Sequence, residues 1–302
     1  MARLHQGRVR RGAGRLQFAD APIRTGSRGR ARCGERRLTP LAVRVASALV
    51  LAPAVLALAW WHPLALAVPM ALAAAVIAFE IGTMYAASGI RVSRGAGALL
   101  AAAVVARWAL APEQRPWADL AIGLIAAYTL LRQLWHPRMY GRFTSWGLAL
   151  VSATYAGGLL SFLVMLRDLS AGFWWVALAF AVTWAYDTFG YIVGRSLGRR
   201  GFMTHISPRK TWEGVAGGLL AAIIVVGAFA PVLGYDWWLA VPLGFLWGLA
   251  AQAGDLVASM LKRDTGQKDS GRLIPGHGGM LDRLDALLFV APAVFAFARL
   301  VA

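Results

Sequence analysis

Long apolar runs recur along the chain from Leu41 to the C-terminus and are separated by short polar segments. Each run holds roughly 20 residues, which is enough for an α-helix to cross about 30 Å of hydrocarbon. The pattern predicts an all-α polytopic membrane protein with about nine transmembrane helices. We place these helices at 41–61, 63–86, 95–111, 117–135, 145–166, 173–193, 214–234, 237–257 and 284–301.

The composition agrees with a membrane protein. Hydrophobic residues make up 59% of the chain and charged residues only 15%, whereas about a quarter of the residues in a soluble domain are charged. A net charge of +17 would favour nucleic-acid binding in a soluble protein. Here the basic residues follow the predicted loops instead, so nucleic acid is not an expected partner.

Basic residues are concentrated on one of the two predicted membrane faces. A run of arginines from Arg3 to Arg37 precedes the first span, and alternate loops are basic, whereas the opposite loops hold Arg115, Arg167 and Arg299. The positive-inside rule then predicts a cytoplasmic N-terminus and a C-terminus on the opposite side. We therefore expect an integral protein of a bacterial plasma (inner) membrane, with its basic loops in the cytoplasm.

The chain divides into three predicted regions. Residues 1–40 form an Arg- and Gly-rich cytoplasmic tail that is expected to be disordered. It could be a patch for anionic lipid or a transit segment, but we favour a solvated tail that only reinforces topology. Residues 41–144 form the N-terminal transmembrane helices, and residues 145–302 hold most of the informative polar residues, with cytoplasmic loops at 194–213 and 258–283.

Because Cys33 is the only cysteine, no internal disulfide is expected.

Four aspartates lie inside or at the ends of the later predicted helices. Ionisable groups at such depths are costly in a membrane and are functional candidates. Asp187 lies in the sixth span, Asp255 ends the eighth, and Asp282 and Asp285 open the ninth on one helical face. If the eighth and ninth spans pack as an antiparallel hairpin, these carboxylates converge at the cytoplasmic rim.

The segment KRDTGQKDSGRLIPGHGGMLDRLD, residues 262–285, connects the last two spans. Its glycines permit close approach by a ligand, and successive N–H groups there can form an anion nest. Together with flanking carboxylates and basic residues, this loop favours phosphoryl chemistry. Oxygen-only ligands favour Mg²⁺, with a two-cation site as an alternative. His277 either acts as a ligand or proton carrier, or orders the turn.

Lysine is restricted to Lys210, Lys262 and Lys268, all in two predicted cytoplasmic loops of an otherwise arginine-rich chain. A compact ammonium is not interchangeable with a guanidinium at a tight phosphate site, so we interpret these lysines as functional rather than coincidental.

The loop GRSLGRRGFMTHISPRKTWEG joins the sixth and seventh spans. Ser207 precedes Arg209 and Lys210, which are expected to face a polyanionic substrate. Thr211 is a predicted N-cap, with Glu213 in the first turn of the next helix.

The residues from Ser259 to Asp285 resemble the signature of the phosphatidate cytidylyltransferase (CDP-diglyceride synthetase) family. The similarity consists of Ser259, Lys262-Arg263, Lys268-Asp269, PGHGG and Asp282-Arg283-Leu284-Asp285, and it extends upstream to DTFGYIVGR and SPRKTWEG. It covers residues 145–302, whereas the earlier spans match only in hydropathy. The resemblance implies that the cytidylyl group of CTP is transferred to phosphatidate, giving CDP-diacylglycerol and pyrophosphate.

The resemblance, read with the residue chemistry, suggests a role for each polar residue. The expected metal ligands are Asp255 and Asp282. The expected catalytic residues, which neutralise phosphate charge or support the metal site, are Lys262, Lys268, Asp269, His277, Arg283 and Asp285. The expected substrate-binding residues are Ser207, Arg209, Lys210, Arg263 and Asp187.

CTP and phosphatidate in the membrane are the expected partners, and the sequence is compatible with a homo-oligomer. Two alternatives remain. The first is CTP-dependent transfer to an isoprenoid ether lipid or a polyprenol, because the motif defines the nucleotide chemistry better than the lipid tail. The second is an ion-coupled transporter that uses Asp187 and Asp255, which is less favoured because the carboxylates cluster at one face in one half of the chain.

Overall fold

Helices dominate the structure because a helix satisfies its own backbone hydrogen bonds within hydrocarbon. The computed structural model describes residues 53–135, 141–271 and 278–301. Within these ranges there is no β-strand, and Gly201 and Thr211 form an isolated bridge. In chain order the helices are α1 (53–61), α2 (Pro63–Ala87), α3 (Arg94–Ala106), α4 (Arg115–Leu131), α5 (Arg142–Ala153), α6 (Leu159–Arg167), α7 (Gly172–Leu197), α8 (Trp212–Leu233), α9 (Ala240–Asp264) and α10 (Leu281–Val301).

Six helices in the described ranges are long and apolar enough to cross a membrane, which supports an integral membrane protein. One of them is the continuous helix Arg142–Arg167, in which a π-helical turn joins α5 to α6. These six match the second and the fifth to ninth predicted spans. The third and fourth predicted spans correspond to α3 and α4, which have 13 and 17 residues. Most of the first predicted span, 41–61, lies outside the described residues.

Helix α10 joins the earlier and later helices, because it packs against α6, α7 and α9. Its buried residues include Leu287 and Leu288, which belong to the same apolar core as Ile77 of α2 and Leu163 of α6. All described residues belong to one compact unit, 39–302. The predicted division at 144/145 stays a prediction.

The predicted hairpin of the last two spans is confirmed, since α9 packs closely against α10. A side chain at Gly254 would overlap the main-chain carbonyl of Asp285. The absence of a side chain at Gly254 therefore lets the two helix backbones touch one residue before Asp255. This contact brings the carboxylates of α9 and α10 to the same end of the bundle.

Candidate active site

The ends of α7 and α9 and the beginnings of α8 and α10 surround one cavity of about 1230 Å³. On α9 the lining runs from Gln252 to Lys262, a distance of about 15 Å at 1.5 Å per residue. The sequence-predicted site residues on its wall are Asp187, Arg209, Lys210, Asp255, Lys262, Asp269, Asp282, Arg283 and Asp285.

Three predicted site residues are described but do not line this cavity. The Arg263 guanidinium donates to the main-chain carbonyls of Ile206 and Gln267, at 3.4 Å each, and so ties two loops together. Ser207 contributes through its carbonyl, which accepts from Lys210 N at 3.3 Å. Lys268 is exposed. His277 lies outside the described residues, and the roles of all four stay predictions.

The loop before α8 folds back on itself and presents Lys210. Phe202 N donates to the Lys210 carbonyl at 2.7 Å, and Trp212 N donates to the Arg200 carbonyl at 3.0 Å. The predicted N-cap is confirmed, because the Thr211 hydroxyl accepts from Gly214 N at 3.2 Å. The start of α8 is therefore fixed directly after Lys210.

Lys210 and Lys262 each form an ion pair with a carboxylate in the cavity. Lys210 Nζ lies 2.6 Å from Asp255 Oδ2, and Lys262 Nζ pairs with Asp282 Oδ1. Both carboxylates are the predicted metal ligands, and both lysines are predicted phosphate-binding groups. In each pair the positive charge of the lysine and the negative charge of the carboxylate neutralise each other.

Asp282 also holds the segment between α9 and α10. Its Oδ2 accepts from Ser270 N at 3.0 Å and from Gly279 N at 3.3 Å, and it lies 2.9 Å from the Ser270 hydroxyl. With Lys262 on Oδ1, both carboxylate oxygens are occupied. This arrangement gives Asp282 an evident part in shaping the loop, in addition to its predicted role at a metal.

Asp187, Asp255 and Asp285 bring three carboxylates from three helices to the cavity wall. They are near enough to repel one another electrostatically. In the described part of the chain, Asp187 and Asp285 have no cation at ion-pair distance, and no three acidic, His or Cys side chains are close enough to form a metal-ligand group. The cavity therefore offers concentrated oxygen donors without a complete protein-only coordination shell.

The deep end of the cavity is lined by uncharged polar groups that the sequence reasoning missed. The Tyr186 hydroxyl donates to Gln252 Oε1 at 2.8 Å, and both side chains are buried. Gln252 Nε2 has no hydrogen-bond partner among the described residues. Because Gln252 is three residues before Asp255, helical periodicity would have placed it on the same face.

Glu80 was also missed, although a sequence signal was present. It is the one acidic residue in the apolar run 63–86, and an intramembrane carboxylate is a functional candidate by the same rule that selected Asp187. Its side chain is buried. Its contacts lie on the segment that Asp282 holds, outside the cavity wall.

The sequence has relatives among known proteins. The model of the cytidylyltransferase family matches residues 42–301. The phosphatidate cytidylyltransferase of Staphylococcus saprophyticus is 39% identical over 171 residues, which are 56% of this chain and 63% of that protein. The protein of the same name from Bacillus subtilis is 38% identical over 180 residues, or 58% of this chain and 64% of that protein.

The matched part of the chain therefore spans less than two thirds of each of these relatives. The family match, however, extends well before residue 145 and includes the early helices, which the sequence motifs did not cover. The chain belongs to the cytidylyltransferase family.

Proposed function

We propose that the protein transfers the cytidylyl group of CTP to phosphatidate, giving CDP-diacylglycerol and pyrophosphate. The observation that carries this proposal is the cavity in which lysines, arginines and carboxylates from α7, α9, α10 and the loops before α8 and α10 meet. Its wall combines groups that bind phosphate with groups that bind a hard cation. Its place at the ends of membrane-spanning helices lets a lipid phosphate and a soluble nucleotide reach the same point.

The reaction is an in-line displacement at phosphorus. A phosphate oxygen of phosphatidate forms a bond to the α-phosphorus of CTP, while the bond from that phosphorus to the oxygen bridging to the β-phosphate breaks. Pyrophosphate leaves with the electron pair. Because a phosphate monoester is largely ionised near neutral pH, the step needs charge neutralisation and positioning more than a strong base.

The cationic side chains of the cavity perform that neutralisation. Lys262 and Arg283 lie on α9 and α10 and face the triphosphate, whereas Arg209 and Lys210, in the loop before α8, face the lipid phosphate. Each lysine exchanges its carboxylate partner for a phosphate oxygen when substrate binds. The glycine-rich segment lets the triphosphate approach the backbone closely.

The donor set fits Mg²⁺, which takes one or two carboxylates and completes its shell with phosphate oxygens and water. Asp255 is the central candidate ligand, because it is near both Asp187 and Asp285. Asp282 completes the predicted pair of ligands once Lys262 turns to the nucleotide. When bound, the ion neutralises charge on the nucleotide phosphates.

The proposed orientation puts the cavity on the cytoplasmic side of the plasma membrane, where CTP is available. It is supported by the basic loops that carry Lys210, Lys262 and Lys268. Acyl chains then remain in the bilayer while the lipid phosphate enters the cavity.

The test is a synthesis assay with purified protein in detergent or vesicles. Labelled CTP, phosphatidate and Mg²⁺ are expected to yield CDP-diacylglycerol and pyrophosphate, with no product when phosphatidate or metal is omitted. Parallel reactions contain a polyprenyl phosphate or an isoprenoid ether-lipid phosphate instead of phosphatidate. Product from those acceptors alone would replace phosphatidate in the proposal, and no product from any acceptor would refute it.

A further inference from the structure

Glu80 is a buried carboxylate whose partners all lie far away in the sequence. Its side chain belongs to α2, and the residue is 5% exposed. Oε1 accepts from Met280 N at 2.9 Å, and Oε2 accepts from Leu281 N at 3.0 Å. Oε2 also lies 3.2 Å from the Ser270 hydroxyl. These bonds offset the large cost of burying a charge, and they direct the carboxylate at the segment between α9 and α10.

Two described glycines of that segment, Gly271 and Gly279, lie close against the carboxylate. A Cβ atom at Gly271 would lie 2.6 Å from Glu80 Oε1, and one at Gly279 would lie 2.6 Å from Glu80 Oε2. Gly279 is the last residue of the PGHGG motif. The glycine is required there because Glu80 and Ser270 already fill the space that a side chain would need.

The contacts of Glu80 extend to the cavity through two links. Met280 directly precedes α10 and Leu281 is its first residue, so the carboxylate binds two N–H groups at the helix start that have no partner within that helix. The next residue, Asp282, shares the Ser270 hydroxyl with Glu80 and pairs with Lys262. Glu80 itself is not part of the cavity wall, and it can therefore act only by holding groups that are.

A second bond connects α2 to the other end of the same segment. The Tyr85 hydroxyl donates to Asp264 Oδ2 at 2.8 Å, at the last residue of α9. One helix of the early part of the chain thus binds the segment both where it leaves α9 and where it enters α10.

We propose that Glu80 is a positioning residue. By binding the beginning of α10 and the Ser270 side chain, it holds Lys262 and Asp282 in the positions in which they receive the nucleotide. The kinetic part of this inference rests on the proposed cytidylyl transfer. Because the positioned groups face the triphosphate, loss of Glu80 acts on CTP rather than on phosphatidate.

The decisive variant is Glu80→Gln, which keeps the volume but sets an amide N–H against one of the N–H or O–H donors. We expect kcat/KM for CTP to fall at least about tenfold, while KM for phosphatidate stays within about twofold. We expect Glu80→Asp to recover part of this loss. Glu113→Gln removes an exposed glutamate and is the matched control, with no change expected.

Hydrogen–deuterium exchange gives a readout that does not depend on activity. In Glu80→Gln the amides of Met280 and Leu281 should exchange at least about tenfold faster, whereas peptides from α7 and α8 should keep their wild-type rates. Tyr85→Phe, which removes the second bond, should produce a smaller change at the end of α9 and keeps the inference testable if Glu80→Gln does not fold.

The outcomes separate this inference from the proposed function. Unchanged exchange at Met280 and Leu281 overturns the inference, and so does faster exchange with unchanged kinetics for CTP, because Glu80 would then be only structural. If the wild-type protein makes no CDP-lipid while Glu80→Gln still shows faster local exchange, the proposed reaction fails and the placement of the loop by Glu80 stands.

Discussion

Replacing Lys210 with methionine is expected to destabilise the protein more than replacing its partner Asp255 with asparagine. Lys210 pairs with Asp255 and also attracts Asp187, while Asp187, Asp255 and Asp285 repel one another. Without Lys210, the carboxylates repel one another more strongly, and this repulsion costs free energy. Without the Asp255 charge, Lys210 still attracts Asp187, and one of the mutually repelling groups is gone.

The magnitude follows from the burial of the pair. Exposed ion pairs contribute about 0–1 kcal/mol, whereas removing one partner of a fully buried pair costs about 3–5 kcal/mol. The Lys210 side chain is 18% exposed and that of Asp255 is 35% exposed, so the pair lies between these limits. We expect about 1–3 kcal/mol for Lys210→Met and about 0–1 kcal/mol for Asp255→Asn. At roughly 2–4 °C per kcal/mol, Lys210→Met lowers Tm by about 2–12 °C.

The assay is thermal unfolding followed by tryptophan fluorescence in metal-free buffer, using the 13 native tryptophans. Lys268→Met is the matched control, because Lys268 is an exposed lysine that does not line the cavity. Added Mg²⁺ should restore more of the stability of Lys210→Met than it adds to the wild type. The reasoning is refuted if Lys210→Met unfolds at the same temperature as Lys268→Met, or if Asp255→Asn is the less stable of the two cavity variants.

Two further predictions concern turnover. Asp282→Asn is expected to lower CDP-lipid formation by at least about 100-fold, corresponding to about 3 kcal/mol. The variant leaves the largely buried Lys262 without its counter-charge and weakens the bond from Ser270 N to residue 282. Near-normal turnover of labelled CTP by the well-folded variant would show that Asp282 is not part of the site. Deleting residues 2–37 is expected to leave turnover per membrane-inserted protein within about twofold of the wild-type value, because the predicted role of the arginines there is topological. A large fall in turnover would show that the tail takes part in the reaction.

Hydropathy predicted the long helices well and the short ones poorly. The runs that became α2, α7, α8, α9 and α10 are apolar over a full membrane thickness, so their existence follows from composition alone. The runs at 95–111 and 117–135 have similar hydropathy, yet α3 ends at Ala106 and gives way to 3₁₀ turns around Pro112. The predicted spans stop at 111 and resume at 117 around this break, but hydropathy does not distinguish an α-helix from a 3₁₀ turn, so it overestimates the length of the α-helical part.

The sequence also predicted which residues meet but not how they pair. Helical periodicity and the hairpin placed Asp255, Asp282 and Asp285 together, and the cavity contains all three. Assigning carboxylates to metal and lysines to phosphate describes a site with substrates bound. In the structure, Lys210 and Lys262 pair with those carboxylates instead. The spacing of residues along the chain gives no information on such pairing, because the pairing depends on which opposite charge is nearest in three dimensions.

Glu80 shows a different limit of sequence reasoning. Its partners Ser270, Met280 and Leu281 are about 200 positions away along the chain, and nothing in their local spacing indicates a distant carboxylate. The recognisable motifs lie after residue 145, and α2 carries none of them. A fragment containing only residues 145–302 would carry every motif and still lack the group that binds Ser270 and the start of α10.

The two lysine–aspartate pairs have a thermodynamic consequence under the proposed reaction. A metal ion that binds alone must displace a lysine from Asp255, and a nucleotide that binds alone must draw a lysine away from a carboxylate. When both bind, breaking the two lysine–aspartate pairs frees the carboxylates for the metal and the lysines for the phosphates at the same time. The cost of breaking the pairs is therefore incurred once for two ligands. Metal and nucleotide should therefore bind with positive cooperativity, each raising the affinity for the other by the same factor. The internal salt bridges act as built-in counterions, and the site responds to the metal–nucleotide complex as a single ligand.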